Sequence, residues 1–268
     1  MEIGRLADFI EEIPNQGMTL SQVEAIRIMC SLRLLQNQMK SDSMFFLGKI
    51  LALDKDYYIA FSTEVNNYIP SIFYCSQDTI TWFSLCGVDI ETKNEAIELK
   101  TPLTGSLISE FTLSSGRIIN EEIRLSSIVS DIFENCFLIP RGYVIQTALD
   151  NVLLNPLWNG IQIKDVHNLK NFRHWRPRKK EMTPLEKSLS NPATDFLDQL
   201  IDLTEWSFSF TGENDEIQMR SLRWPGFVFD VRQTDFCNFY FGNGVANTNV
   251  IEMVSKLYDP TEAHKSIQ

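Results

Sequence analysis

The residues of this chain that could do chemistry are few, and their spacing argues against most of it. The histidines are His167, His174 and His264. His167 and His174 stand seven apart, which on a continuous helix would put them on one face, as in a metal or acid–base pair. Neither belongs to an HExxH motif or sits near a GxSxG motif, so both read as surface or rim histidines. Gly48-Lys49 has the ending of a phosphate-binding loop, but no glycine stands five residues earlier, and Ile50 replaces the Ser/Thr that would hold magnesium. Asp54-Lys55-Asp56 opens like a calcium loop yet lacks the glycine six residues in, and Val65 takes the place of the twelfth-position Glu. Gly242-Asn243-Gly244 suits a tight turn at a strand end, since no helix-forming GxxG follows it. The five cysteines (Cys30, Cys75, Cys86, Cys136, Cys237) are odd in number and contain no CxxC pair. They read as small buried hydrophobes in a reducing compartment. No catalytic, cofactor or metal residue is therefore expected.

Charge narrows the partners. With 35 acidic against 24 basic side chains, the 268-residue chain carries a net charge of −11, which argues against a nucleic-acid binder. Its one basic cluster is Arg173-His174-Trp175-Arg176-Pro177-Arg178-Lys179-Lys180. This reads as a protein interface or as a solvated loop with Trp175 as a packing anchor. Arg173, Trp175, Arg176, Arg178 and Lys179, together with Trp224, are the interface candidates. Met1–Ile13 lacks the basic and apolar regions of a signal peptide, and no apolar run reaches the ~20 residues of a membrane span; a cytosolic protein without membrane partners is expected.

The elements that position these residues follow from periodicity. Residues 2–13 suggest a short amphipathic helix ended by Pro14. Ser21 and Glu24 stand at capping-box spacing before a helix that runs to about Met39. Together these predict an N-terminal helical hairpin. Met44–Leu53 and Tyr57–Thr63 read as a β-hairpin around Asp54-Lys55-Asp56, and Ile69–Cys75 and Thr79–Cys86 as a second, anchored by Trp82 and Phe83. Val88–Ser106 reads as an exposed excursion, and Ile118–Asn135 as a helix capped by Asn120. Pro140-Arg141-Gly142 is a turn before a strand at Tyr143–Thr147, and Asn151–Ile163 a loop. Asp165 would cap a short helix through Phe172, and Asn191-Pro192 would open another through Leu200. From Trp206 a terminal sheet is expected, bent by a Trp224-Pro225-Gly226 corner and rich in alternating aromatics up to Gly244. A helix at Val250–Tyr258 and a polar tail follow. The order predicts an α+β fold: the helical hairpin, then a mainly antiparallel β-sheet with interspersed helices. The expected domains are a helical segment at 1–42, a core at 43–250 and a tail at 251–268.

Four motifs, in order, carry a resemblance. Phe46-Leu47-Gly48-Lys49-Ile50-Leu51-Ala52-Leu53 with Asp56-Tyr57-Tyr58-Ile59-Ala60, then Ile139-Pro140-Arg141-Gly142, then Arg220-Ser221-Leu222-Arg223-Trp224-Pro225-Gly226, and finally Tyr240-Phe241-Gly242-Asn243-Gly244 resemble the radial spoke head family of motile cilia and flagella. The resemblance runs from about Leu20 to Val254 and departs at residues 87–117. It implies a non-catalytic subunit of the radial spoke head in the axoneme, which contacts the central pair and relays mechanical signals that regulate dynein. It also implies association with paralogous head subunits of the 4/6 type and a MORN-repeat head subunit, with a homodimer contact within the paired head as a further expectation. The competing readings are a cytosolic adaptor or assembly scaffold unrelated to cilia, and an enzyme with a cryptic site.

Overall fold

The structure, a computed structural model, describes residues 2–6, 20–161, 168–179, 181–200, 205–211, 216–232 and 235–250. Helix α1 (Gln22–Met39) begins at the predicted capping box: Ser21 Oγ accepts from the Glu24 N–H at 3.2 Å, and the Ser21 N–H donates to Glu24 Oε2 at 2.7 Å. The chain then lays down β1 (Ser43–Ile50), β2 (Tyr57–Glu64), β3 (Asn67–Ser76) and the short β4 (Phe83–Ser84). Helix α2 (Ile90–Glu98), a ribbon of β5 (Glu110–Thr112) and β6 (Ile118–Asn120), and helix α3 (Glu121–Cys136) come next. After them run β7 (Leu138–Pro140), β8 (Val144–Gln146), β9 (Val152–Leu154), β10 (Phe172–Pro177), helix α4 (Pro184–Leu189) and β11 (Leu197–Gln199). The last strands are β12 (Trp206–Thr211), β13 (Glu216–Ser221), β14 (Phe227–Val231) and β15 (Phe236–Gly242).

Ten strands form one sheet in the order β12-β13-β14-β15-β1-β2-β3-β9-β8, with β4 beside β3. Pairing is antiparallel except for β1 with β15 and β3 with β9. A second sheet, β11-β10-β7, is antiparallel throughout. The central strands are apolar on both faces, as strands covered on both sides must be. From β2, Tyr57, Ile59 and Phe61 face α3 and the small sheet, whereas Tyr58 and Ala60 face α1. The result is three layers: α1 on one side, the large sheet in the middle, and α3 with the three-stranded sheet on the other.

The sheet joins two halves far apart in sequence. The hairpin β1–β2 and the terminal strands β12–β15 meet only through β1 and β15 among the described residues, with Gly48 opposite Tyr240, Lys49 opposite Phe241 and Ile50 opposite Gly242. The approach requires glycine. Gly48 has φ +154°, and a Cβ on it would collide with the Tyr240 carbonyl oxygen. At the Trp224-Pro225-Gly226 corner, Gly226 has φ +100° and its Cβ would strike the Phe241 carbonyl oxygen, while its own carbonyl accepts from the Phe241 N–H at 3.0 Å.

Several expectations need correction. The described part of the N-terminal helix is a 3-10 turn at Ile3–Arg5, preceded by a bridge from Glu2 to Phe45; residues 7–19 lie outside the described residues, so the helical hairpin is not confirmed. Val88–Ser106 contains α2, capped by Asp89, and buries Ala96, Ile97 and Leu103. The apolar positions that anchor α2 are too few to reveal a helical period. Thr79–Cys86 is mostly a loop turned by Asp78, and Phe83 is exposed. Ile118–Asn120 is a strand, so α3 starts at Glu121, although Asn120 does cap it, its Oδ1 accepting from the Ile123 N–H at 3.0 Å. Val152–Leu154 is a strand, not loop. The basic cluster is strand from Arg173 to Pro177, within β10, and the helix expected from Asn191 is instead a turn followed by β11. There the Asp195 carboxylate takes the Asn191 N–H, a local bond that competes with helix. Asp165 and the Val250–Tyr258 helix beyond Val250 fall outside the described residues.

Gly48→Ala would force both a strained backbone and a clash at the only pairing between the halves among the described residues. We expect it to lower unfolding free energy by roughly 2–4 kcal/mol, read from the urea midpoint of the purified chain. A variant of unchanged midpoint would refute this account of the joint.

Candidate functional site

The residues singled out in the sequence converge on the α3 side of the large sheet. Strand β10 lies there between β7 and β11, and its pairing with β11 shifts register between Arg173 and Pro177. Phe172 and Trp175 enter the core, and the basic side chains take other directions. Trp175 is 3% exposed and packs edge-on against Phe45 and Phe61 with centroids 5.5 and 5.8 Å away. It stacks on Tyr68, and its indole N–H donates to the Tyr68 carbonyl at 2.8 Å. Such a ring contributes burial and a satisfied polar handle together. In the folded chain it is a core residue with no surface to offer.

The described positive charges of the cluster, from Arg173 to Lys179, are engaged within the chain. Arg173, also buried, gives Nη2 to Asp195 Oδ1 at 2.9 Å. Arg141, from the Ile139–Gly142 motif, grips the same carboxylate with two bonds of 2.7 and 2.5 Å. Arg178 donates to the Asp195 carbonyl at 2.9 Å. Arg176 pairs with Asp198 and gives Nε to the Glu134 carbonyl at 2.6 Å. Lys179 pairs with Glu134, which also holds Lys93 from α2, and remains 55% exposed. Burial alone would raise the Asp195 carboxyl, but hydrogen bonds from Arg141, the Asn191 N–H and Arg173 outweigh it and hold the group down to about 2. Arg141, Lys170, Arg173, Asp195 and Gln199 line a cleft of about 300 Å³ here.

The other candidate, Trp224, is fully buried. Its indole N–H donates to Asp131 Oδ2 on α3 at 2.9 Å, and Arg223 reaches the same oxygen at 3.1 Å. Ser221 Oγ accepts from the Trp224 N–H at 3.1 Å and from Cys136 Sγ at 3.3 Å. The Arg220–Gly226 motif is thus the place where α3 is latched to the terminal strands. At the other end of α3, buried Glu121 accepts from the Tyr57 hydroxyl at 2.8 Å, from the Thr104 and Gly105 N–H groups at 2.7 Å each, and from Thr104 Oγ1 at 2.8 Å. Asp131, Asp195 and Glu121 are the organising residues that sequence reading missed. A carboxylate inside an apolar helical pattern was the available signal for Asp131; Glu121, beside Glu122 in the first turn, reads as an ordinary helix-end charge.

Little here favours bond-making chemistry. Burial and the neighbouring Arg176 charge push the His174 imidazole down to about 4, leaving it neutral at neutral pH, and its buried Nδ1 has no hydrogen-bond partner. His167 and His264 lie outside the described residues. Burial pushes the Cys75 thiol up to about 12 and raises Cys136 and Cys237 as well, so these are poor nucleophiles. Lys49, next to Gly48, pairs with Glu24 of α1 and Asp56 at 3.3 and 3.0 Å. Among the described residues no group of His, Cys, Asp and Glu side chains could hold a metal ion, and no helix is long and apolar enough to cross a membrane.

No family model matches the chain. Among curated proteins it is similar to the radial spoke head protein 9 homologs of several vertebrates. That of Bos taurus is 26% identical over 263 residues, covering 90% of this chain and 95% of that protein. That of Homo sapiens is 26% identical over 272 residues, covering 93% and 99%. That of Danio rerio is 28% identical over 257 residues, covering 87% and 93%. The resemblance first carried by four short motifs therefore extends along nearly the whole chain.

Two outcomes follow from this geometry. Because the folded Asp195 carboxyl titrates below its ordinary value of about 3.9, its contribution is present above that value and lost as pH falls toward 2. Asp195→Asn should cost roughly 2–4 kcal/mol near neutral pH by leaving Arg173 unpaired, and should make the fall in melting temperature between pH 4 and 2 shallower than in the parent, as scanning calorimetry would record. Trp224→Phe keeps most of the ring but strips Asp131 of its buried donor; we expect a loss of about 1–3 kcal/mol, and a variant as stable as the parent would exclude the latch.

Proposed function

We propose that this chain is a non-catalytic structural subunit of the radial spoke head in the axoneme of motile cilia and flagella, and a radial spoke head protein 9 by kinship. The observation that carries the proposal is colinear similarity over nearly the full length of several curated proteins that share that name. The motifs behind it support the same reading in physical terms. Three of them meet at the β1–β15 joint and its corner, and the remaining one, Ile139–Gly142, contains Arg141, which grips Asp195. What resembles the relatives is therefore the rigid frame, which suits a protein that works by holding neighbours in place.

In this role the subunit helps build the head that contacts the central pair and passes mechanical signals toward dynein. Its partners are paralogous head subunits of the 4/6 type and a MORN-repeat head subunit, with a contact to a second copy across the paired head. We assign one partner surface to the rim of β10, where Lys179 and the partly buried Arg176 and Arg178 reach the surface. Arg173 and Trp175 brace that rim from inside, whereas Trp224 belongs to the latch between α3 and the terminal strands. Because Asp198 and Glu134 pair with Arg176 and Lys179, and the Asp195 carbonyl takes Arg178, the rim offers a fixed array of engaged charges, suited to register more than to raw attraction.

The test is in axonemes. A tagged copy of the chain should sediment with isolated axonemes and leave them together with other spoke subunits as extracting salt rises. Cilia that lack the chain but keep complete spoke heads would refute the proposal.

A further inference from the structure

Helix α1 is apolar on two sides. One stripe, with Ala25, Ile28 and Leu32, is buried against the large sheet. A second, Val23, Ile26, Cys30 and Leu34, recurs at spacings of three, four and four, so on a helix of about 3.6 residues per turn it forms one continuous seam. This seam faces outward: Val23, Ile26 and Leu34 are 57%, 62% and 64% exposed, and Cys30 is exposed as well. A continuous apolar seam on an outward helix face is the mark of a docking surface more than of scattered surface hydrophobes.

Its charge is equally specific. Arg27 and Arg33 flank the seam, one on either side, both exposed and neither paired within the described residues. The only carboxylate of α1, Glu24, is turned inward, where it takes the Ser21 N–H, the Tyr58 hydroxyl and Lys49. Burial would raise that carboxyl, yet these bonds hold it down to about 2, so it stays ionised and occupied. The outward face of α1 is therefore apolar and positive in a chain of net charge −11.

We propose that this seam docks an amphipathic helix of another protein whose own apolar stripe is flanked by Asp or Glu. Helix-on-helix packing needs an apolar stripe at matching spacing, and flanking charges choose the partner. A second copy of this chain is the wrong occupant. Paired about this seam in either orientation, two α1 helices bring only arginine charge, and no carboxylate, to both flanks. The inference stands on α1 alone. It lies on the face of the sheet opposite β10 and does not depend on the ciliary reading.

The full chain can be titrated with two fluorescent synthetic helices that share a leucine seam, one flanked by Glu and the other by Lys, with anisotropy as the readout. The Glu-flanked helix should bind at least about tenfold tighter, and should slow alkylation of Cys30 but not of the equally exposed Cys86. The double variant Arg27→Glu with Arg33→Glu should reverse the preference. Ile26→Ser with Leu34→Ser should abolish binding of both helices, and because all four residues are exposed, circular dichroism should remain that of the parent. Equal or absent binding of the two helices overturns the proposal. So do dimers of the free chain joined through Cys30, which would make a second copy the occupant. So does a Cys30 already protected until residues 7–19 are deleted, which would make the chain's own N-terminal segment the occupant.

Discussion

The structure depends on one close approach of backbones. The ten-stranded sheet is two antiparallel halves, and a short parallel pairing between β1 and β15 joins them. Parallel pairing needs a long connection, and here nearly the whole chain lies between the two strands. A side chain at Gly48 would hold the strands apart, and one at Gly226 would lift the corner off β15. Helix α3 straps this joint from one side. Its first residue, Glu121, is tied to Tyr57 in the early hairpin, and Asp131 and Cys136 near its end are tied to Trp224 and Ser221 in the terminal strands. The two halves are therefore held by backbone contact, by the aromatic core and by buried hydrogen bonds at once.

Buried carboxylates do the fastening. In a low-dielectric interior an unpaired carboxylate is very unfavourable, and a fully hydrogen-bonded one is directional and specific. Glu121, Asp131 and Asp195 each collect donors from segments remote in sequence, so each defines a geometry that apolar packing alone would leave loose. Asp195 binds the turn after β7, strand β10 and the 191–195 turn into one unit. Glu134 does the same for α2, α3 and the end of β10. An acidic chain thus engages the described cations of its one basic cluster from within, with engaged ions at the rim of β10 on one face of the sheet and an arginine-flanked apolar seam on the other.

Much of the fold was legible in the sequence, element by element. The capping box at Ser21 and Glu24, the β1–β2 hairpin, the Asn120 cap and the aromatic terminal strands follow from local rules, because their signals lie within a few residues. The misreadings share a cause. The helix α2, the strand at Arg173–Pro177 and the turn at Asn191–Asp195 are set by partners more than twenty residues away or by a buried carboxylate, and local periodicity carries no trace of either. The basic cluster looked like a surface feature because its acids, Glu134, Asp195 and Asp198, are scattered along the chain.

The sequence by itself determined the class of fold, the absence of any recognisable catalytic pattern and the similarity to radial spoke head proteins, since composition, spacing and motif are local properties. Only the tertiary structure decided which residues are buried and which stay exposed. Burial is a property of the assembled layers: it placed Trp175 and Trp224 inside, matched each cation of β10 to an acid, and left the second stripe of α1 in the open. A helix with two apolar stripes looks the same in sequence whichever stripe the sheet takes, and only the sheet chooses.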